Sequence, residues 1–544
     1  MKDQLHIKYF RWTSKEYKVL AASLKETLGL SSSQFYMPLF SLYYYVHNSP
    51  NSQKTIDFER KFYLHKILDI TKKRYYNSNV IGDALVYDSG RQVSEIKPFF
   101  CKTIPILDPM NCINNNYNLQ SKFNHHLPSG YNYNTFHKIN DMNNNAYIDV
   151  FCSYLFGQVT HLKQNPSFPM FYGSSNGLGS YRYDITEEYP DLRMDKSFND
   201  NIGKGFTLDM YVSDSESESS SKSSRSKSKS KSKSKSKSPS EDSIEDIQRS
   251  DFQVFSGDSS ESDQGSDSGS AGSAGSAGSA GSAGSAGSDS YSDSDGPLHD
   301  DYIALLKKIP LQLLFIEKLE GTLEDFLRAK DYDEGILRGC LFQVAFALTF
   351  LQKRYQFTHN DLHINNVMWA KTETKYLYYK MNNQYFRIPT HGKIFKIIDF
   401  GRAIFTFKKK TYMNDVFSRN GEAGGQYTYP HQVSFLDRGS RDKEEEAWIP
   451  NYNFDLCRLA MTILEEIPKD NTSETTLEFL KGMCRDSLRG EGASFCDMTD
   501  DFNLYVSIAR RARHALPLVV LQDPIFKDFR IKKKGFPRKS YYGL

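Results

Sequence analysis

The sequence is poor in the residues that would announce a covalent framework. Its 544 residues carry only seven cysteines, at 101, 112, 152, 340, 457, 484 and 496, an odd number with no C-x-x-C pair. That argues against a disulfide scaffold and makes reduced thiols in a cytosolic setting the simplest account. The opening residues, Met1-Lys2-Asp3-Gln4-Leu5-His6, lack the apolar stretch of a secretory leader. No apolar run is long enough to span a bilayer, so no membrane segment is expected. An excess of one charge is missing too. Lys and Arg number 69 against 66 Asp and Glu, a formal charge of +3, which gives no global case for nucleic acid.

What is present falls into two kinds of material. Residues 213–296 form a low-complexity stretch: an acidic serine run (Asp214-Ser215-Glu216-Ser217-Glu218), a Ser-Lys/Arg tract from Lys222 to Lys237, then Ser-Ala-Gly triplets over 270–287. Such a composition cannot bury enough apolar surface to offset its ordering entropy, so disorder is expected. An expanded surface loop, a multisite phosphorylation tail and a basic localisation patch are the three readings open for it. Apolar patterning flanks it on both sides. Asn79 to Val86 and Lys97 to Ile106 read as strands around a turn, Tyr147 to Val159 as a helix, and Ile309 to Ile316 as a strand. Thr322-Leu323-Glu324-Asp325 reads as a helix cap, and Leu337, Leu341, Val344, Leu348 and Leu351 as one helical stripe. Val367 to Trp369 and Lys393 to Ile398 read as two strands of a hairpin with a tyrosine-rich insert, and Phe454 to Ile467 as a helix. Toward the N-terminus, Lys15 to Leu28 and Phe58 to Ile70 read as helices.

The chemistry concentrates in His359-Asn360-Asp361-Leu362-His363-Ile364-Asn365-Asn366, which follows the helical stripe. A carboxylate precedes an amide by five residues, and Ile398-Asp399-Phe400-Gly401 closes a later apolar strand. Phosphoryl transfer needs that set: one Asp to accept a hydroxyl proton, and an Asn and a second Asp to hold magnesium against nucleotide phosphates. A zinc site on His359 and His363 is a poor rival, because Asn rather than Glu follows the first His and the stretch lies outside a helix.

The pair of motifs resembles the catalytic loop and DFG motif of protein kinases. The resemblance implies an α+β, bilobal kinase-like fold, with Asp361 as catalytic base and Asn366 and Asp399 as metal holders. It makes His359 and Asp455 structural, the latter opening the Phe454 helix. It places Ile316 at the gatekeeper position and gives the backbones of Glu317 and Leu319 to adenine. Lys102, in the apolar run Phe99-Phe100-Cys101-Lys102-Thr103-Ile104, becomes the phosphate lysine, since a buried lysine needs a charged partner. Asp149 stands where the family usually has a helix Glu, one methylene longer. Ile81 and Gly82, in Ile81-Gly82-Asp83-Ala84-Leu85-Val86-Tyr87, stand for the glycine-rich loop with one glycine where the family has three.

Two departures lie inside the catalytic loop. Asn360 replaces the Arg that reads a phosphorylated activation loop in many kinases, so phosphate switching is not expected. His363 replaces the usual Lys, as in haspin-type, aminoglycoside and choline kinases. No A-P-E closes the activation segment; Gly425 to Pro430 stands in that region. The arrangement looks most like the serine/threonine kinases of giant nucleocytoplasmic DNA viruses, over roughly 75–544 apart from the low-complexity stretch.

The expected organisation is a helical N-terminal extension (1–74), a small lobe (75–212), a disordered insert (213–300), the last small-lobe strand with the hinge (301–321), and a large lobe (322–544). The expected activity is serine/threonine protein phosphorylation from ATP with magnesium or manganese. The expected partners are a protein substrate and the chain's own serine-rich insert, with no nucleic acid and no membrane. The implied location is host cytoplasm or virion. A pseudokinase scaffold and a small-molecule kinase are the alternatives.

Overall fold

The computed structural model describes residues 5–39, 53–73, 78–117, 119, 125–132, 134–211, 301–418, 421–427, 449–499 and 501–544. The low-complexity stretch lies outside the described residues. The fold is α+β.

Strand β1 (Tyr9–Arg11) leads into the helix Ser14–Leu28, capped by a reciprocal Thr13–Glu16 box and ended by Gly29 at φ +68°. After β2 (Ser31–Gln34) comes β3 (Ile56–Phe58), which pairs antiparallel with β1. Then follow β4 (Phe62–Lys73), β5 (Val80–Asp88), β6 (Val93–Pro105), β7 (Phe171–Asp184), β8 (Phe206–Tyr211) and β9 (Asp301–Glu317). These build a seven-stranded sheet in the order β2-β7-β9-β6-β5-β4, with β8 also on β9. Every second residue of β5 is buried, the mark of a strand with one face on a core.

The sequence expectation of a helix fails over Phe58 to Ile70, which holds the end of β3, a short connection and most of β4. The reason is legible in the pairing. Strand β4 shifts register against β5 between Leu64 and Lys66, Ile67 and Asp69, and Ile70 and Lys72. Each irregularity adds a residue, so Leu64, Ile67 and Ile70 recur at a spacing of three, which imitates a helix face. Among the described residues of 1–74 there is therefore no separate helical extension: β2 and β4 belong to the sheet.

The glycine-loop assignment is corrected as well. Ile81 and Gly82 sit within β5, opposite Phe100 and Phe99. The β4–β5 connection instead runs through Arg74-Tyr75-Tyr76-Asn77-Ser78-Asn79, which has no glycine. Gly82 faces Ile70, and a Cβ there would fall 2.1 Å from the Asp69 carbonyl oxygen. The glycine admits the irregular β4 at close range. Gly82→Ala should destabilise the fold by about 1–3 kcal/mol through this overpacking. An unchanged urea midpoint would show that β4 yields freely.

The helix Asn145–His161 packs under the sheet and is buried on nearly every side. The helix Glu334–Tyr355 is long and apolar enough to cross a membrane by length and composition, and its apolar stretch is largely buried inside the fold. Beside it, β10 (Gly321–Thr322), β11 (Val367–Lys371) and β14 (Lys393–Ile397) form a small antiparallel sheet. The tyrosine-rich insert between β11 and β14 is a hairpin of β12 (Tyr376–Met381) and β13 (Gln384–Pro389). The short helix Leu323–Leu327 begins at Thr322, whose side chain and that of Asp325 form the expected cap. The helix Phe454–Glu466 carries Asp455 in its first turn.

Candidate active site

Strand β6 brings Lys102 into a cleft whose walls include Phe100, Leu314, Ile316 and Ile398. The Lys102 Nζ lies 2.8 Å from Asp149 Oδ2 and 2.8 Å from Asp399 Oδ1. Three residues far apart in sequence thus meet at one ammonium. The shorter Asp149 reaches because its helix lies close, and its other oxygen accepts the Phe400 N–H at 3.1 Å. Burial disfavours the Lys102 charge, but the two carboxylates more than restore it, and its pKa is raised. For Asp399, burial is likewise outweighed by Lys102, which holds the carboxyl below its usual range. For Asp149, whose side chain is 1% exposed, burial wins and the pKa rises.

The catalytic-loop stretch is held from below. Asp455, fully buried, accepts the backbone N–H groups of His359 and Asn360, each at 2.9 Å. Burial raises its pKa, against the pull of those hydrogen bonds. The His359 ring Nε2 is 2.8 Å from the Ile398 carbonyl, tying the loop to the chain between β14 and Asp399. Both Asn360 and Asp399 are in the left-handed region, at φ +63° and +62°. Non-glycine residues there store strain, and surrounding contacts must hold them. For Asn360 those contacts are Arg402 O at 3.0 Å and the Tyr427 hydroxyl at 2.8 Å.

Asn366 donates through Nδ2 to the Asp361 carbonyl at 2.8 Å and lies 3.0 Å from His363 Nε2. Its Oδ1 is buried with no protein partner. A buried acceptor left without a donor is costly. A hard cation is a fitting partner for an amide oxygen beside a carboxylate, as Asn366 and Asp399 would provide. Burial lowers the His363 pKa, so the imidazole is neutral near pH 7. With His359 turned to Ile398 and His363 to Asn365 and Asn366, the two rings serve different neighbours.

Ile316 lines the cleft. Glu317 behaves differently: its Oε1 is 2.6 Å from Lys396 Nζ and accepts the Met170 N–H at 2.9 Å, while its own N–H donates to Met170 O. Leu319, two residues on, is buried. Ile81 faces Phe100 across the β5–β6 ladder, on the cleft side, and Gly82 does not.

Two charged or polar neighbours escaped sequence reasoning. Lys396 lies in the apolar run Lys393-Ile394-Phe395-Lys396-Ile397-Ile398, the same signal that singled out Lys102. Tyr505 donates its hydroxyl to Asp361 Oδ1 at 2.8 Å from 144 residues away, and nothing local to it in the sequence foretells the contact.

Comparison with known proteins gives partial matches. No family model matches the chain. It is 33% identical over 91 residues to the serine/threonine-protein kinase haspin of Mus musculus, covering 16% of this chain and 12% of haspin. It is 36% identical over 89 residues to a Dictyostelium discoideum protein named as a probable serine/threonine-protein kinase, covering 15% of this chain and 7% of that one. A longer match of 238 residues at 22% identity joins it to the Acanthamoeba polyphaga mimivirus protein R400, provisionally named a serine/threonine-protein kinase, over 40% of this chain and 46% of R400. The similarity is to kinases, at low identity, and the chain spans less than half the length of each of these relatives.

Proposed function

We propose that the chain is a bilobal, kinase-like enzyme that transfers the terminal phosphoryl group of ATP to a serine or threonine hydroxyl of a protein. The observation that carries this reading is Lys102 held at 2.8 Å from both Asp149 and Asp399. Such an arrangement suits an ammonium that steadies nucleotide phosphates beside a metal-holding carboxylate. Asp361 orients the acceptor hydroxyl and takes its proton. Asn366, through its unpaired Oδ1, and Asp399 would hold magnesium or manganese. When bound, the metal supplies charge neutralisation for the phosphates. The remaining work is positioning: Asp455 and His359 fix the loop, and Ile316 and Phe100 shape the adenine end of the cleft.

A second reading, a nucleotide-binding scaffold with weak turnover, is favoured by one feature. The sequence between β4 and β5 has no glycine, where the family it resembles has a glycine-rich loop.

The test is transfer of radiolabelled phosphate from ATP by the purified full-length chain, with Asp361→Asn as control. Metal-dependent labelling by the wild type alone supports the enzyme. Equal labelling by both forms, or none by either with magnesium or manganese, overturns it. Nucleotide-dependent thermal stabilisation without transfer selects the scaffold.

A further inference from the structure

Asp361 is half-buried, and among the described residues its side chain has one hydrogen-bond partner. The Tyr505 hydroxyl donates to Oδ1 at 2.8 Å, and Oδ2 stays open. The neighbours closest in sequence do not restrain the carboxylate. The His363 ring accepts the Asn365 N–H at 3.3 Å and lies 3.0 Å from Asn366 Nδ2, which itself reaches the Asp361 carbonyl and not the side chain.

Tyr505 is itself held. It belongs to the helix Asp501–Arg511, which lies against the Phe454–Glu466 helix. The Tyr505 and Phe454 ring centroids are 5.7 Å apart. The Arg458 guanidinium lies 5.5 Å and that of Arg402 6.0 Å from the Tyr505 ring centre. The Arg458 Nε donates to the Tyr505 oxygen at 3.4 Å. Later in the same helix, Arg510 donates to the Gly425 carbonyl at 2.7 Å. The phenolic oxygen thus accepts on one side and donates on the other, from a ring that is packed in place.

A general base works only when an open oxygen lies within hydrogen-bond reach of the proton it takes. A carboxylate with no tie spreads over several rotamers. A hydrogen bond to an ionised oxygen is among the stronger restraints that a protein has on one. We infer that Tyr505 is a positioning residue for Asp361: it holds Oδ1 and restrains the carboxylate, which leaves Oδ2 to take the acceptor proton. The inference rests on the phosphoryl-transfer reading above. Burial first, and the Asp361 charge second, push the Tyr505 hydroxyl up to about 12, so it remains a donor at ordinary working pH. The charges facing it are Asp361 and Arg458, and Arg402 lies over the ring with Glu422 paired to it at 3.4 Å.

Tyr505→Phe removes the hydroxyl and keeps the ring for Phe454 and the two arginines. The experiment compares the full-length wild type, Tyr505→Phe, Asp361→Asn and the double variant, each checked by thermal melting. Steady-state transfer to dephosphorylated casein gives kcat and both KM values, and single-turnover labelling from ATP gives the rates of the two Asp361→Asn forms. Tyr505→Phe should lower kcat by about 10–100-fold, the cost of a reacting group displaced by about 1 Å. The KM values for ATP and casein should stay within about twofold, since the contact lies on the base and not on either substrate. In the Asp361→Asn background the same change should alter the rate by less than about twofold, because no base remains to be oriented. A folded Tyr505→Phe with wild-type kcat would overturn the inference. An equal fall in both backgrounds would make Tyr505 a brace of its helix alone, and would overturn it too. No transfer by any form, wild type included, sinks the phosphoryl-transfer reading, and this inference with it.

Discussion

Asp361→Asn should cut phosphoryl transfer by about 10²–10⁴-fold, the usual worth of a positioned general base. The substitution is close to isosteric. The amide oxygen can still accept the Tyr505 hydroxyl, and the Asp361 carbonyl still receives Asn366 Nδ2. The loop is held through the backbone N–H groups of His359 and Asn360 on Asp455, neither of which involves the Asp361 side chain. Melting temperature and nucleotide-induced stabilisation should therefore stay near wild type while transfer collapses. A single-turnover assay separates the two. Transfer within a factor of three of wild type would remove Asp361 from the reaction.

Lys102→Met should strike stability and activity together. The lysine side chain is 20% exposed, Asp149 1% and Asp399 19%, so this ion cluster is poorly solvated. Removing one partner of a buried pair typically costs about 3–5 kcal/mol, because the other charge is left uncompensated. Here two carboxylates lose one shared cation. Transfer should fall by about two orders of magnitude or more, since a fixed charge at the phosphates is lost. The pH dependence follows from the sign of the shifts. In the wild type Asp399 is lowered, so its contribution is present above its unfolded pKa and is lost as pH falls through its folded value. In Lys102→Met, both carboxylates lose their largest lowering influence, and burial, the largest influence on each, drives them up against the Phe400 and Gly401 hydrogen bonds and the nearby His359. Their folded forms then bind protons that the unfolded chain has released, so the variant should lose stability as pH rises through those raised values. Urea unfolding at pH 5 and pH 8 would show the larger deficit at pH 8. An equal deficit at both would refute the account.

The contrast between Lys102 and Gly82 explains how much of the site could be read from residues alone. A lysine among Phe99, Phe100, Cys101, Thr103 and Ile104 has few physical solutions, and a carboxylate partner is one of them. Asp361, Asn366 and Asp399 declare themselves by spacing within a loop and at the end of a strand. The loop ties through Asp455 and His359 follow from the same motif. Gly82 is ambiguous from residues alone, because a glycine near a strand signals either a turn or a close backbone approach, and only the pairing with Ile70 decides between them. Phe58 to Ile70 misled for a related reason: pairing irregularities rewrite a two-residue period as three. Lys396 was visible by the Lys102 argument, but its partner Glu317 lies at the strand end where backbone contacts to adenine were expected. Tyr505 is the opposite case. Its importance arises wholly from where a late helix comes to rest, which no local pattern carries.

The long strand β9 has a consequence for the low-complexity stretch. Tyr211, the last residue of β8, pairs directly with Asp301, the first of β9. The chain thus leaves the sheet and re-enters it at a single rung of one ladder. The two ends are already joined by the fold, so whatever lies between them is a detour rather than a span. Doubling such a detour costs only about 0.6 kcal/mol in closure entropy. Residues 212–300 could be exchanged for a short turn, or lengthened further, with the rung between Tyr211 and Asp301 still in place.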